Sequence, residues 1–273
     1  MKQNRLKKYL SNRNFTLGLI MVSILFLLMV VGFFYLPADP NKIDVMKELL
    51  PPSRENLLGT DQLGRDILSR VMVGSRISFF IGFCVVICGG LLGCTLGGAA
   101  GYYGGKIDSV ITKLIDTQMA FPGVLLALML IAVFGNSVQN LILALSVMSV
   151  PRFARMSRSG FLKYRNSEFV KAAKVKGASD LRIMILHIFP NLLQELSVTA
   201  TLSFSGAIMS EAGLSYLSLG IQPPTPSFGK MLSEAQNTIL TAGWYVVIPA
   251  ALITMLVLGF NLISDGLNEI YRH

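Results

Sequence analysis

Residues 168–191 read EFVKAAKVKGASDLRIMILHIFPN. Lys171, Lys174, Lys176 and Arg182 crowd a segment that lies between long apolar runs. A lipid-facing helix has no use for charge at that density, because each ionised group would lose its hydration. The segment therefore sits in water, while the runs around it cross a membrane. The expected fold is all-α: a polytopic membrane protein with a helical, water-exposed piece rooted in its spans.

Composition agrees. The chain is 52% hydrophobic and only 14% charged, with a mean hydropathy of +0.59, which excludes an ordinary soluble domain. Runs of about 20 apolar residues suffice to cross a hydrocarbon core. They fall at residues 15–36, 77–103, 117–134, 138–150, 192–217 and 244–262, giving about six spans. The first is too long for a signal-peptide core and Pro37 follows it, so it reads as an uncleaved span. The fourth is short, and the fifth is interrupted by Glu195 and Glu211.

Positive charge orients the set. Lys2, Arg5, Lys7, Lys8 and Arg13 place the amino terminus in the cytoplasm. Six crossings then put residues 152–190, with nine basic residues between Arg152 and Arg182, on the same side. Residues 37–76 and 218–243 fall outside. The net charge of +9 thus describes cytoplasmic loops beside anionic lipid, and no nucleic-acid-binding module accompanies it. The expected organisation is a first part, residues 1–76, with one span and an outer amphipathic segment. A membrane domain, residues 77–273, follows and contains the loop 152–190.

Gly89, Gly93, Gly97, Gly101 and Gly105 recur every four residues in the second run. Such a ladder lets another helix approach closely. It drifts about 40° per step on a 3.6-residue helix, so it is expected to serve more than one neighbour. Cys84, Cys88 and Cys94 share this run and read as small packing residues, because no His or acid completes a metal site.

The outer stretch LLGTDQLGRDILSRVMVGSR (residues 57–76) offers Thr60 or Asp61 as a helix cap. Ile67, Leu68, Val71 and Met72 share a face, which predicts a surface helix ahead of the second span. Asp61, Arg65 and Asp66 fit a solvated capping motif.

No catalytic constellation emerges. Gly105-Lys106 is followed by Ile107 and Gly229-Lys230 by Met231, so neither forms a phosphate-cradling loop. His187 and His273 are the only histidines, and no nucleophile elbow or zinc motif is present. Asp116, Glu195, Glu211 and Asp265 lie near span ends, where helix contacts are favoured over an ion relay. No catalytic residue, metal ligand or cofactor is expected.

The basic segment has a mechanical logic. Lys171-Ala172-Ala173 followed by Gly177 makes a short helix that stops at glycine. A second helix begins near Ser179, and Pro190 is expected to break or kink it. Ala172 and Ala173 would let a partner surface come close. A knob rooted in a spanning helix can pass a push from a soluble motor to a pore.

On these residues the chain resembles a known family. Ala172-Ala173-x3-Gly177-x12-Pro190 is similar to the cytoplasmic "EAA" loop of permease subunits in bacterial ATP-binding-cassette importers. Leu58-Gly59-Thr60-Asp61-x2-Gly64-Arg65-Asp66 resembles the outer signature of the dipeptide, oligopeptide and nickel permeases. So do Glu211-Ala212-Gly213-Leu214-Ser215-Tyr216-Leu217 and Gly220-Ile221-Gln222-Pro223-Pro224-Thr225-Pro226-Ser227. Lys171 departs from the Glu of the general loop, and Ser218 and Phe228 replace commoner Gly and Trp.

The resemblance implies a non-catalytic pore subunit in a bacterial cytoplasmic membrane. Its partners would be a second, related permease, two ATP-binding subunits and an extracytoplasmic substrate-binding protein. It implies docking on the ATPase through Glu168, Lys171, Ala172, Ala173, Gly177, Ala178 and Pro190. It marks Gly59, Thr60, Asp61, Gly64, Arg65 and Asp66 as the outer motif. Di- or oligopeptides are the expected cargo, with nickel or a metal chelate as the alternative. A secondary transporter is the reading from another class.

Overall fold

The computed structural model describes residues 9–272; Lys2, Arg5, Lys7, Lys8 and His273 lie outside them. Helix α1, Arg13–Phe34, starts where the Asn12 side chain accepts a bond from the Phe15 amide at 2.9 Å. Its 22 residues are apolar on every side and rise about 33 Å, enough to cross a bilayer core. Gly18 meets Gly259 of the last helix so closely that a Cβ at Gly18 would fall 2.5 Å from the Gly259 carbonyl.

Helix α2, Ile67–Tyr103, is 37 residues long, about 55 Å by its rise. The separate surface helix expected over residues 57–76 does not exist. No proline interrupts the run from Ile67 onward, and the polar residues Ser69, Arg70 and Ser75 are buried along with Ile67, Val71 and Met72. The cap is Asp66, which accepts from the Ser69 amide at 2.8 Å, rather than Thr60 or Asp61. The boundary expected between residues 76 and 77 falls inside this helix.

The third expected span divides in two. Helices α3, Gly105–Ala120, and α4, Gly123–Phe134, meet at 90°. Pro122 has no amide hydrogen to continue the ladder, and it holds Phe121 in an extended conformation.

Helix α5, Val138–Tyr164, contains Pro151. Proline strips the Val147 carbonyl of its usual donor, and the Gln118 side chain of α3 supplies a replacement at 2.6 Å. The expected fourth span, 138–150, is the apolar half of this helix. The other half carries Arg152, Arg155, Arg158 and Lys163, so part of the expected loop 152–190 is helical.

Short helix α6, Glu168–Val175, leads into α7, Asp180–Tyr216. Pro190 does not break α7. A π-helical stretch at Ile183–Ile188 precedes it, its wider turn accommodating a residue that cannot donate. Asn191 covers the His187 carbonyl at 2.6 Å. Helices α8, Phe228–Ala235, and α9, Gly243–Arg272, complete the chain. Helices α1, α2, α7 and α9 are long and apolar enough to span, and the bent α3–α4 pair makes a fifth candidate. Helix α5 has the length for a sixth but too much charge to qualify by composition.

The glycine ladder joins α2 to α5 alone. A Cβ at Gly89 would fall 1.7 Å from Ser149 Oγ, at Gly93 2.6 Å from Phe153 Cβ, at Gly97 2.1 Å from the Ala154 carbonyl and at Gly101 2.5 Å from that of Arg158. These atoms all belong to α5, so the drift is taken up by the crossing of the pair and no second neighbour is served. Gly105 lies beyond the helix end, with open space beside it.

Candidate functional site

Two clusters stand out, at opposite ends of α2. The first is built from the outer motif. Gly64 adopts φ +71°, and a Cβ there would fall 1.8 Å from the Asp44 carbonyl, so only glycine fits this turn. Gly59 is also left-handed, at φ +77°. Thr60 is buried; its hydroxyl accepts from the Leu50 amide at 2.8 Å and donates to the Lys47 carbonyl.

Asp61 accepts from the amides of Leu63 and Arg65, each at 2.9 Å, and from Arg65 Nε at 2.6 Å. Glu234 of α8 takes Arg65 at 2.8 Å, Arg70 at 3.1 Å and the Tyr245 hydroxyl at 3.2 Å. Arg70 Nε lies 3.4 Å from Asp61 Oδ2. Two acids thus balance two guanidinium groups in a buried knot, which rules out the alternative of a merely solvated capping motif. Burying such a set contributes little net stability, but removing one member leaves a charge uncompensated. The knot fixes the outer segment to α8 and α9. Arg70, Glu234 and Tyr245 were not singled out from the sequence. The available signal was that Glu234 is the only acid between residues 218 and 243.

The stretch of residues 211–227 packs on α8, which carries Glu234 of the knot. Glu211 is buried and accepts from Ser215 Oγ at 2.7 Å, which in turn accepts from the Ile221 amide at 3.0 Å. Ser218, where glycine is commoner, has φ +62°.

The second cluster is the knob. Helix α6 ends in a Schellman motif: the Ala178 amide bonds the Ala173 carbonyl at 3.1 Å, and the Gly177 amide bonds that of Lys174 at 2.9 Å. Gly177 supplies the required positive φ, +78°. Val170 and Ala173 turn inward onto a core with Phe161, Ile183, Ile188 and Leu192. The expectation that Ala172 and Ala173 both face a partner is therefore half corrected. Ala172 is exposed, but Ala173 is buried, because neighbouring positions on a helix point about 100° apart. Ala178 is half-buried and Pro190 exposed; Glu168 and Lys171 pair at 2.9 Å on the open surface.

That open surface is also apolar. Val175 is 89% exposed and Leu181 65%, beside Phe169, Ile185 and Leu186. The knob is not loose. Tyr102 near the end of α2 donates to Asp180 at 2.6 Å, and Lys174 lies over the Tyr102 ring. Its inner face packs on α5 through Phe161, and its last helix is α7 itself. The knob is thus joined to three long helices, α2, α5 and α7.

The family described as the binding-protein-dependent transport system inner membrane component matches residues 89–272. The chain belongs to this family of permeases. Among its relatives is the dipeptide transport system permease protein DppC of Haemophilus influenzae, 41% identical over 94% of this chain and 90% of that protein. The probable D,D-dipeptide transport system permease protein DdpC of Escherichia coli is 36% identical over 92% and 84%. The glutathione transport system permease protein GsiD of Pectobacterium atrosepticum is 37% identical over 89% and 82%. The methionine ABC transporter MetNI, solved in an inward-facing conformation, shares the fold with a TM-score of 0.56 at 19% identity, over 74% of this chain and 93% of that one. The chain is thus a multi-pass membrane permease of an ATP-binding-cassette importer.

Proposed function

We propose that this permease carries di- or oligopeptides inward, together with a second, related permease, two ATP-binding subunits and an extracytoplasmic binding protein. In this reading the amino terminus and the knob are cytoplasmic, and the knot of Asp61, Arg65, Arg70 and Glu234 lies outside. The observation that carries it is the apolar face around Val175 and Leu181. Apolar side chains displayed on a charged, water-exposed knob call for a protein partner. The stretch of residues 168–190 is where the resemblance implies ATPase docking. The cargo follows from the peptide and glutathione permeases that this chain resembles along nearly its whole length.

ATP is hydrolysed by the partner subunits. The decisive experiment is reconstitution in liposomes. The complete complex should accumulate dialanine only with ATP and binding protein, whereas the isolated chain should show neither ATPase activity nor uptake. Accumulation by the isolated chain under a proton or sodium gradient would establish a secondary carrier instead. Uptake of a nickel chelate but not of peptides would redirect the cargo to metal.

A further inference from the structure

The second half of α5 carries four basic residues, and three are neutralised. Arg155 meets Asp116 at 2.8 Å, Arg158 meets Asp108 at 2.7 Å and Lys163 meets Glu195 at 3.7 Å. Arg152 has no hydrogen bond or ion pair among the described residues. It lies about 21 Å along a helix about 40 Å long, just past the apolar half of α5. An arginine left unpaired beside an apolar span must line water or wait for an anion.

Arg152 borders an open cleft of about 140 Å3 lined by α2, α5 and α7. Opposite it stand Ser203, Gly206 and Ser210, spaced so that all three share one face of α7. Gly206 keeps that wall open: the nearest atom to a Cβ there would be Arg152 Nη1, at 3.8 Å. The Ser203 hydroxyl is buried and has no partner. Ser149 on the near wall is already committed to the Ser146 carbonyl at 2.8 Å. Val85 contributes an apolar side.

A guanidinium fork without an acid, beside a hydroxyl donor without an acceptor, matches a carboxylate. We infer that this cavity is a station on the translocation route that receives the C-terminal carboxylate of a peptide. Arg152 is its cationic partner and Ser203 a second donor. The inference rests on the peptide-import reading above and adds the side chains that hold the cargo. Arg152 repels the ammonium end of a peptide, so the site also sets which end it accepts. Arg152 is itself exposed rather than buried, and water reaching an exposed ion pair weakens it. A transport station needs that weakness, because tight binding would stop release.

The test uses the complete complex in proteoliposomes with saturating, dialanine-loaded binding protein. The readout is dialanine delivered per ATP hydrolysed, together with co-purification of all subunits. Arg152→Gln should lower that ratio about tenfold, the loss expected for one charge-assisted contact, and Arg152→Lys should keep most of it. Gly206→Leu, which fills the cavity while leaving the charge, should lower it comparably. An unchanged ratio in both Arg152→Gln and Gly206→Leu overturns the inference. So does loss of co-purification in Arg152→Gln with normal delivery by Gly206→Leu, which would give Arg152 an acidic side chain of a neighbouring subunit instead. Failure of the wild-type complex to import dialanine would instead strike the peptide reading itself.

Discussion

The Tyr102 hydroxyl donates to Asp180 Oδ1 at 2.6 Å, tying the end of α2 to the first turn of α7. The bond closes the knob against a helix whose far end is capped by Asp66 in the outer knot. It gives the knob a fixed lever on a helix of 37 residues.

Tyr102→Phe removes only that hydroxyl. The bond contributes about 1 kcal/mol, so the subunit should still insert and assemble. Substrate moved per ATP should fall several-fold, because the knob can shift without carrying α2. Equal coupling ratios for the variant and the wild type would show that packing alone transmits the motion.

The two alanines of α6 should behave differently. Ala173→Trp forces a large ring into the core of Val170, Ile183 and Leu192 and should destabilise the subunit by more than about 1–3 kcal/mol. Ala172→Trp should leave the thermal midpoint in detergent near that of the wild type while blocking recovery of the ATP-binding subunits. If Ala172→Trp still recovers them in full, the docking face lies elsewhere.

Glu234→Ala leaves two buried guanidinium groups, Arg65 and Arg70, with Asp61 as their one acid. The loss should be about 3–5 kcal/mol, read as a lower thermal midpoint and poor yield. Glu234→Asp keeps the charge and should recover part of it. An unaltered midpoint for Glu234→Ala would mean that the outer knot does not secure α8 and α9.

Ser218 sits at φ +62°, a conformation that costs a non-glycine residue about 1–2 kcal/mol. Glycine's larger unfolded-state freedom offsets about 0.5–1 kcal/mol of the relief. Ser218→Gly should therefore raise the thermal midpoint slightly, even though Lys230 loses its 3.1 Å bond to the hydroxyl. A lower midpoint would show that this bond outweighs the backbone strain.

Orientation is testable with exposed positions. After Cys84, Cys88 and Cys94 are replaced by Ala, an impermeant thiol reagent should label Ser53→Cys in intact cells and Ser179→Cys only after lysis. The distribution of basic residues predicts this arrangement. Labelling of Ser179→Cys from outside would invert the chain and remove the knob from the cytoplasm.

Much of this was legible in the sequence, because its signals are periodic or local. Apolar runs reveal spans, since a bilayer imposes a length. Ladder glycines at every fourth position announce a close helix contact, and Gly177 after an apolar-polar run announces a helix end. What the sequence left open is set by which elements meet. Nothing local indicates that Gly89 to Gly101 all face α5, that Ala173 points inward while Ala172 points out, or that Gln118 serves the Val147 carbonyl, 29 residues away, which Pro151 leaves without its usual donor. Glu234 finds Arg65 across 169 positions of chain, a pairing made only when α8 folds back on the outer segment. A residue's neighbours along the chain determine its backbone conformation and its preference for lipid or water. Its charge partner and the cavity it lines depend on helices brought together by packing, and so the unpaired Arg152 becomes visible only in the assembled bundle.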